Sequence, residues 1–248
     1  MGMNDDMMFN PMEEGTTEPQ LNLTYLLDTS GSMYGEKINQ LNLAMQEAVD
    51  VAEESAAEME VQLRMRVIEF NNGAKWICGT DEMNGLEHID WLPLTASGGT
   101  ATADAIRLAK GLMSRKFLGT RNYNPVVILI TDGESNSPAD TVAAVSELKT
   151  SLKSTKDPNA DKIIRIAIGV KGANQTELEN FASIGNIIEE DGNTRENVPL
   201  VFPVDNISLL KSLLKAVTVS SIASSLGAGT GDEPDQGTVI DTTQDTWI

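Results

Sequence analysis

The chain has 248 residues, 40% hydrophobic and only 4% aromatic, so it can bury an aliphatic core and is too apolar to be disordered. Its 37 acidic against 18 basic residues leave a net charge of −19, which disfavours nucleic acid and anionic membrane as partners. A single cysteine, Cys78, and a single histidine, His88, exclude an internal disulfide and a structural zinc site.

Residues 1–20 carry five acids and neither Lys nor Arg, and read as a flexible acidic arm. A secretory signal needs positive charge followed by an apolar run, so a cytoplasmic location is expected. The longest apolar stretch, Val126 to Ile130, is far shorter than the roughly 20 residues of a membrane span.

Residues 21–27 read as a strand. A helix over 36–59 follows, because Ile38, Leu41, Met45, Ala48, Ala52 and Ala56 recur at spacings of three and four. Over 61–70, Val61, Leu63, Met65 and Val67 alternate with Gln62, Arg64 and Arg66, the period of a strand. Its hairpin partner is 74–79, across the turn Asn71-Asn72-Gly73. Cys78 there reads as a small buried apolar residue, and His88 as a surface or loop residue.

Helix 103–116, strand 125–131 and helix 139–154 come next, the last with Val142, Val145, Leu148 and Leu152 as its apolar stripe. Strand 163–169 leads to a short helix over 175–184, a weak strand at 200–203 and a helix over 207–222. Residues 223–248 form an acidic Gly/Thr-rich tail ending in Trp247-Ile248, a candidate docking motif. One domain over 21–222 is therefore expected. Alternation of continuous apolar strands with helices means an α/β fold, a doubly wound, mainly parallel sheet covered on both faces. Ligands bind such sheets outside the carboxyl ends of the strands.

Three segments place small oxygen-bearing side chains there: Asp28-Thr29-Ser30-Gly31-Ser32, Ser97-Gly98-Gly99-Thr100 and Thr131-Asp132-Gly133. Ser30, Ser32 and Thr100 offer neutral hydroxyls, while Asp28 and Asp132 offer carboxylates whose two charges balance a divalent cation. Mg²⁺ favours such hard oxygen donors, and Mn²⁺ or Ca²⁺ could take its place. A remaining coordination position would accept a carboxylate from another molecule. Glycines 31, 98, 99 and 133 are expected to permit the tight turns that bring these loops together.

These three segments resemble the metal-ion-dependent adhesion site (MIDAS) of von Willebrand factor A (vWA) domains, with all five ligand positions filled, over about residues 20–222. The resemblance implies direct metal contact by Ser30, Ser32 and Thr100, with Asp28 and Asp132 helping directly or through water. It also implies a Rossmann-like sheet with one antiparallel edge strand, supplied by the 61–79 hairpin, and binding of a partner protein's Glu or Asp. Residues 23–33 and the helix after them look most like bacterial TerY-type proteins. That resemblance implies a tellurite-resistance-like stress-response setting, near kinases and phosphatases; the cysteine-rich module of some longer relatives has no counterpart here.

Two other readings compete. A phosphatase of the haloacid dehalogenase type would use Asp28 as nucleophile, but it needs a second Asp two positions on, where Ser30 stands. Neither a G-x-S-x-G elbow nor a G-x-x-x-x-G-K-[ST] loop is present, so no enzyme is expected. Alternatively, the acidic tail mediates assembly and the metal only stabilises the fold.

Overall fold

The computed structural model describes residues 20–78, 91–113, 118, 123–152, 163–189, 191–227 and 238–243. The arm before Gln20, His88 and Trp247-Ile248 lie outside them. In chain order the elements are β1 (Gln20–Asp28), a one-turn 3-10 helix (Gly31–Met33), α1 (Glu36–Glu58), β2 (Gln62–Phe70), β3 (Ala74–Cys78) and α2 (Thr102–Gly111). They continue with β4 (Val126–Thr131), α3 (Pro138–Thr150), β5 (Ile164–Val170), α4 (Gln175–Phe181), β6 (Ile184–Ile188) and β7 (Thr194–Pro199). β8 (Val201–Val204), a second 3-10 turn (Ile207–Leu209), α5 (Leu210–Gly227) and β9 (Val239–Asp241) complete the described chain.

Six strands form the main sheet in the order β3-β2-β1-β4-β5-β8. All neighbours pair in parallel except β2 and β3, so β3 is the antiparallel edge strand. The runs Leu21–Leu27 and Val126–Ile130 become central strands because every residue in β1, β4 and β5 is buried, which only a sheet covered on both faces allows. α1 packs against α5, and α2 against α3. Tyr25 on β1 bonds Thr218 of α5 through their hydroxyls at 2.7 Å, tying that helix to the centre of the sheet.

The apolar stripe of α1 is buried as expected and is joined by Ala44, Val49 and Val51. α5, with the turn before it, is long and apolar enough to cross a membrane by length and composition. Leu210, Leu214, Val217 and Ile222 of that helix belong to the same core as β1 and α1.

Four expectations need correction. Arg66 does not face solvent: it is buried, and its guanidinium donates to Asn22 Oδ1 at 2.7 Å, because β2 is flanked by strands on both sides and covered above and below. In α3 the buried stripe is Thr141, Ala144, Val145 and Leu148, which turns Val142 outward to 50% exposure. Cys78 is only half-buried, as a residue of an edge strand, and burial pushes its thiol up to about 11.

The fourth correction concerns the end of the chain. α4 stops at Phe181, and Ile184 instead opens β6, which pairs antiparallel with β7 and parallel with β9 in a second, three-stranded sheet. α5 continues to Gly227, past the expected boundary at 222, and β9 lies within the stretch expected to be an acidic Gly/Thr-rich tail. β9 is docked on α5: Ser220 donates to the Asp241 carbonyl at 2.8 Å, Ser224 donates to the Val239 carbonyl, and Ile240 is fully buried.

Candidate metal centre

Strand order reverses between β1 and β4, since the chain winds outward from β1 through β2 and from β4 through β5. Leu27 is in register with Ile130, so Asp28 and Thr131 end adjacent parallel strands at one level. That crevice is where sheets of this kind take ligands.

Backbone hydrogen bonds draw the 97–100 segment onto the same edge. Ser97 N–H donates to the Thr29 carbonyl at 2.8 Å, Gly31 N–H to the Gly98 carbonyl at 2.9 Å, and Ala101 N–H to the Asn71 carbonyl at 2.8 Å. Gly98 has φ +79°, and a Cβ on it would meet the Asn72 side chain at 2.7 Å, so only glycine suits this position. Gly31, Gly99 and Gly133 keep φ outside the left-handed region. At Gly31 and Gly99 the constraint is space, since a Cβ would come within 3.3 Å of the Gly98 carbonyl and 2.6 Å of the Asn136 side chain, which differs from the turn-forming part expected of them.

The five candidate side chains converge. Ser32 Oγ donates to Asp132 Oδ1 at 2.6 Å. Because that bond uses the proton of Ser32, Ser30 is the donor in the 2.9 Å contact between the two serine hydroxyls. Asp28 lies behind this chain: Oδ1 accepts the Ser30 N–H at 2.8 Å and Oδ2 accepts the Thr131 hydroxyl at 2.5 Å. Thr100 is clamped by Asn136, whose N–H donates to the Thr100 carbonyl at 2.9 Å and whose Oδ1 accepts the Thr100 N–H at 3.0 Å.

A Cβ placed on Gly133 would sit 3.6 Å from Ser32 Oγ and 3.8 Å from Thr100 Oγ1. Gly133 thus leaves a cradle beside hydroxyls from two separate loops. The donors are three hydroxyls and two carboxylates, oxygen throughout, which is the chemistry of a hard divalent cation. The site also tolerates positive charge: the Lys37 ammonium lies 2.5 Å from Oδ2 of Asp132, whose side chain is wholly buried. These residues fit a divalent cation.

Burial raises the Asp28 carboxyl above its ordinary range, against hydrogen bonds from Ser30 and Thr131 that pull it down; the charge of Asp132 adds to the rise. A cation beside the two carboxylates would relieve both the desolvation and the repulsion.

Sequence reasoning missed Lys37 and the asparagines. Asn72 accepts the Gly99 N–H at 2.8 Å although it reads in sequence as an ordinary turn residue, and Asn136, which holds Thr100, carries no sequence signal of its own. Among the described residues no group of three or more His, Cys, Asp or Glu is placed to hold a metal, and most of the candidate side chains at this centre offer hydroxyls instead. Tyr34, 80% exposed, stands just past the 3-10 turn that carries Ser32.

The family model of the von Willebrand factor type A domain matches residues 22–215. The chain belongs to that family. Solved vWA-fold structures are similar to it at low identity. Proximal thread matrix protein 1 from the mussel byssus is 24% identical with a TM-score of 0.58, over 83% of this chain and 48% of that one. A second structure of that mussel protein, with a zinc-occupied MIDAS motif, is 22% identical with a TM-score of 0.58, over 83% and 48% of the two chains. A von Willebrand factor type A protein from Catenulispora acidiphila is 19% identical with a TM-score of 0.56, over 82% and 42%. This vWA chain therefore spans less than half the length of the solved chains it resembles. No curated protein matches it in sequence.

Proposed function

We propose that this vWA domain is a metal-dependent protein-binding module with no catalysis of its own. Ser30, Ser32 and Thr100 would hold a divalent cation directly, and Asp28 and Asp132 would help directly or through water. When bound, the ion supplies an electrophilic coordination position for a Glu or Asp of a partner protein. The observation that carries this reading is the Ser30–Ser32–Asp132 chain of hydroxyl and carboxylate, with Thr100 across the Gly133 cradle.

Zinc in the MIDAS motif of the mussel protein supports a divalent ion in this family. The all-oxygen donor set favours Mg²⁺, with Mn²⁺ or Ca²⁺ as substitutes. Exposed Tyr34 offers an aromatic contact beside the site. The charge of −19 means that a partner's surface around its carboxylate must be basic or mixed to approach. The TerY-like segment supports a cytoplasmic stress-response role of the tellurite-resistance kind, with a kinase or phosphatase of the same system as partner. Catalysis by Asp28 is disfavoured because Ser30 stands where a phosphatase of the haloacid dehalogenase type needs its acid/base.

The test is affinity capture from native lysate with Mg²⁺ or EDTA, comparing wild type with Asp28→Ala. Capture that depends on Mg²⁺ and on Asp28 is expected. Capture indifferent to both overturns the reading, and Mg²⁺-dependent phosphatase activity abolished by Asp28→Asn would replace it with the enzymatic one.

A further inference from the structure

Lys37 has no part in the ligand set, yet it makes the closest charged contact at the site. It lies in the first turn of α1, and its ammonium donates to Asp132 Oδ2 at 2.5 Å and to the Lys171 carbonyl at 3.0 Å. The side chain thus runs from the start of α1 to the residue after β5, across the edge of the sheet. Asp132 has a fully buried side chain and spends its other oxygen on Ser32. Both carboxylate oxygens are therefore engaged by donors.

This contact alters the charge balance of the site. Asp28 and Asp132 together match a divalent cation, but Lys37 already offsets one of those two negative charges. A dication among Ser30, Ser32, Thr100 and Asp132 would lie close to the ammonium, in a partly buried region where like charges repel strongly. The lysine has somewhere to go: its side chain is 27% exposed and mounted on a flexible four-carbon stem, so moving outward restores its hydration.

We infer that Lys37 is a tethered cation that competes with the divalent ion for Asp132, and so sets the ion concentration at which the domain becomes competent to bind. This inference rests on the metal-binding reading of the site. Lys37 is then a positioning residue rather than a ligand, and it acts by occupying Asp132 until a dication displaces it.

Calorimetric titration of the full chain with Mn²⁺, at one pH and ionic strength, tests it on wild type, Lys37→Met and Lys37→Arg. Lys37→Met should bind Mn²⁺ at least about tenfold more tightly, equal to about 1.4 kcal/mol, while Lys37→Arg, which keeps the charge, stays near wild type. Melting in EDTA gives a second readout. Lys37→Met should melt lower than wild type, because Asp132 loses its counter-charge, and should gain more from added Mn²⁺. Equal or weaker Mn²⁺ affinity in Lys37→Met, with uptake intact in wild type, overturns the role of Lys37 alone. Absence of uptake in both proteins overturns the metal reading and this inference together.

Discussion

Ser32 and Asp132, one hundred residues apart, are joined by a 2.6 Å hydrogen bond at the mouth of the sheet. Each follows its own strand end: Ser32 lies in the 3-10 turn after β1, and Asp132 is the residue directly after β4. The parallel register of those strands sets their separation. Oxygens placed by the backbone rather than by long side chains need little reordering to take up an ion, which favours affinity.

Thr100 separates ligand from scaffold. Its backbone is clamped by Asn136 through two hydrogen bonds that do not involve its hydroxyl. Thr100→Ala should therefore keep the melting temperature within about 3 °C of wild type, the shift expected for less than about 1 kcal/mol in a chain of this size, while partner capture and Mn²⁺ uptake fall. Asn136→Ala acts from behind the site and should weaken Mn²⁺ binding by about 10- to 100-fold, with a lower melting temperature as the Thr100 N–H loses its acceptor. Unchanged Mn²⁺ uptake in Thr100→Ala would remove the hydroxyl from the ligand set.

Asp28 is a buried carboxylate whose desolvation the hydrogen bonds from Ser30 and Thr131 offset only in part, and a cation would offset it further. In EDTA at neutral pH, Asp28→Asn keeps an oxygen for the Ser30 N–H and removes the buried charge. It should melt no lower than wild type, within about 2 °C, yet show no stabilisation by Mg²⁺ where wild type does. Scanning calorimetry with and without Mg²⁺ reads both effects. A large loss of stability in EDTA would show that the Asp28 charge serves the fold rather than an ion.

The β9 segment should contribute to stability although it lies within the acidic Gly/Thr-rich tail. Ile240 is fully buried, so Ile240→Ala should cost about 2–5 kcal/mol, measured by urea unfolding. A loss below about 0.5 kcal/mol, typical of a surface site, would mean that β9 does not dock.

Acid should weaken the bridge between α2 and α3. Arg107 grips Asp140 through two hydrogen bonds, at 2.9 and 2.6 Å, and holds its carboxyl below the ordinary range. The folded-state value is depressed, so this contribution is present above the unfolded value of Asp and is lost as pH falls through the folded one. Arg107→Met should melt below wild type at pH 7, and the gap should narrow as pH drops below about 4. A gap independent of pH would point to lost packing of the arginine stem instead.

Local pattern in the sequence was enough for the main sheet and the three oxygen-bearing loops. A short, β-branched aliphatic run such as Val126–Ile130 between polar segments reads as a buried strand, and Asp28, Ser30, Ser32, Thr100 and Asp132 fall at strand ends or beside a helix start, where an α/β sheet takes its ligands. Only the tertiary structure decided the rest. The Lys37 contact with Asp132 spans 95 residues, β9 pairs with β6 across a gap of some fifty, and Arg66 is buried because strands flank β2 on both sides. Hydrophobic periodicity reports which face of a segment is buried, but not what covers it. A long polar side chain such as Lys37 looks in sequence like a solvated surface residue until a buried carboxylate from a distant loop is brought within its reach.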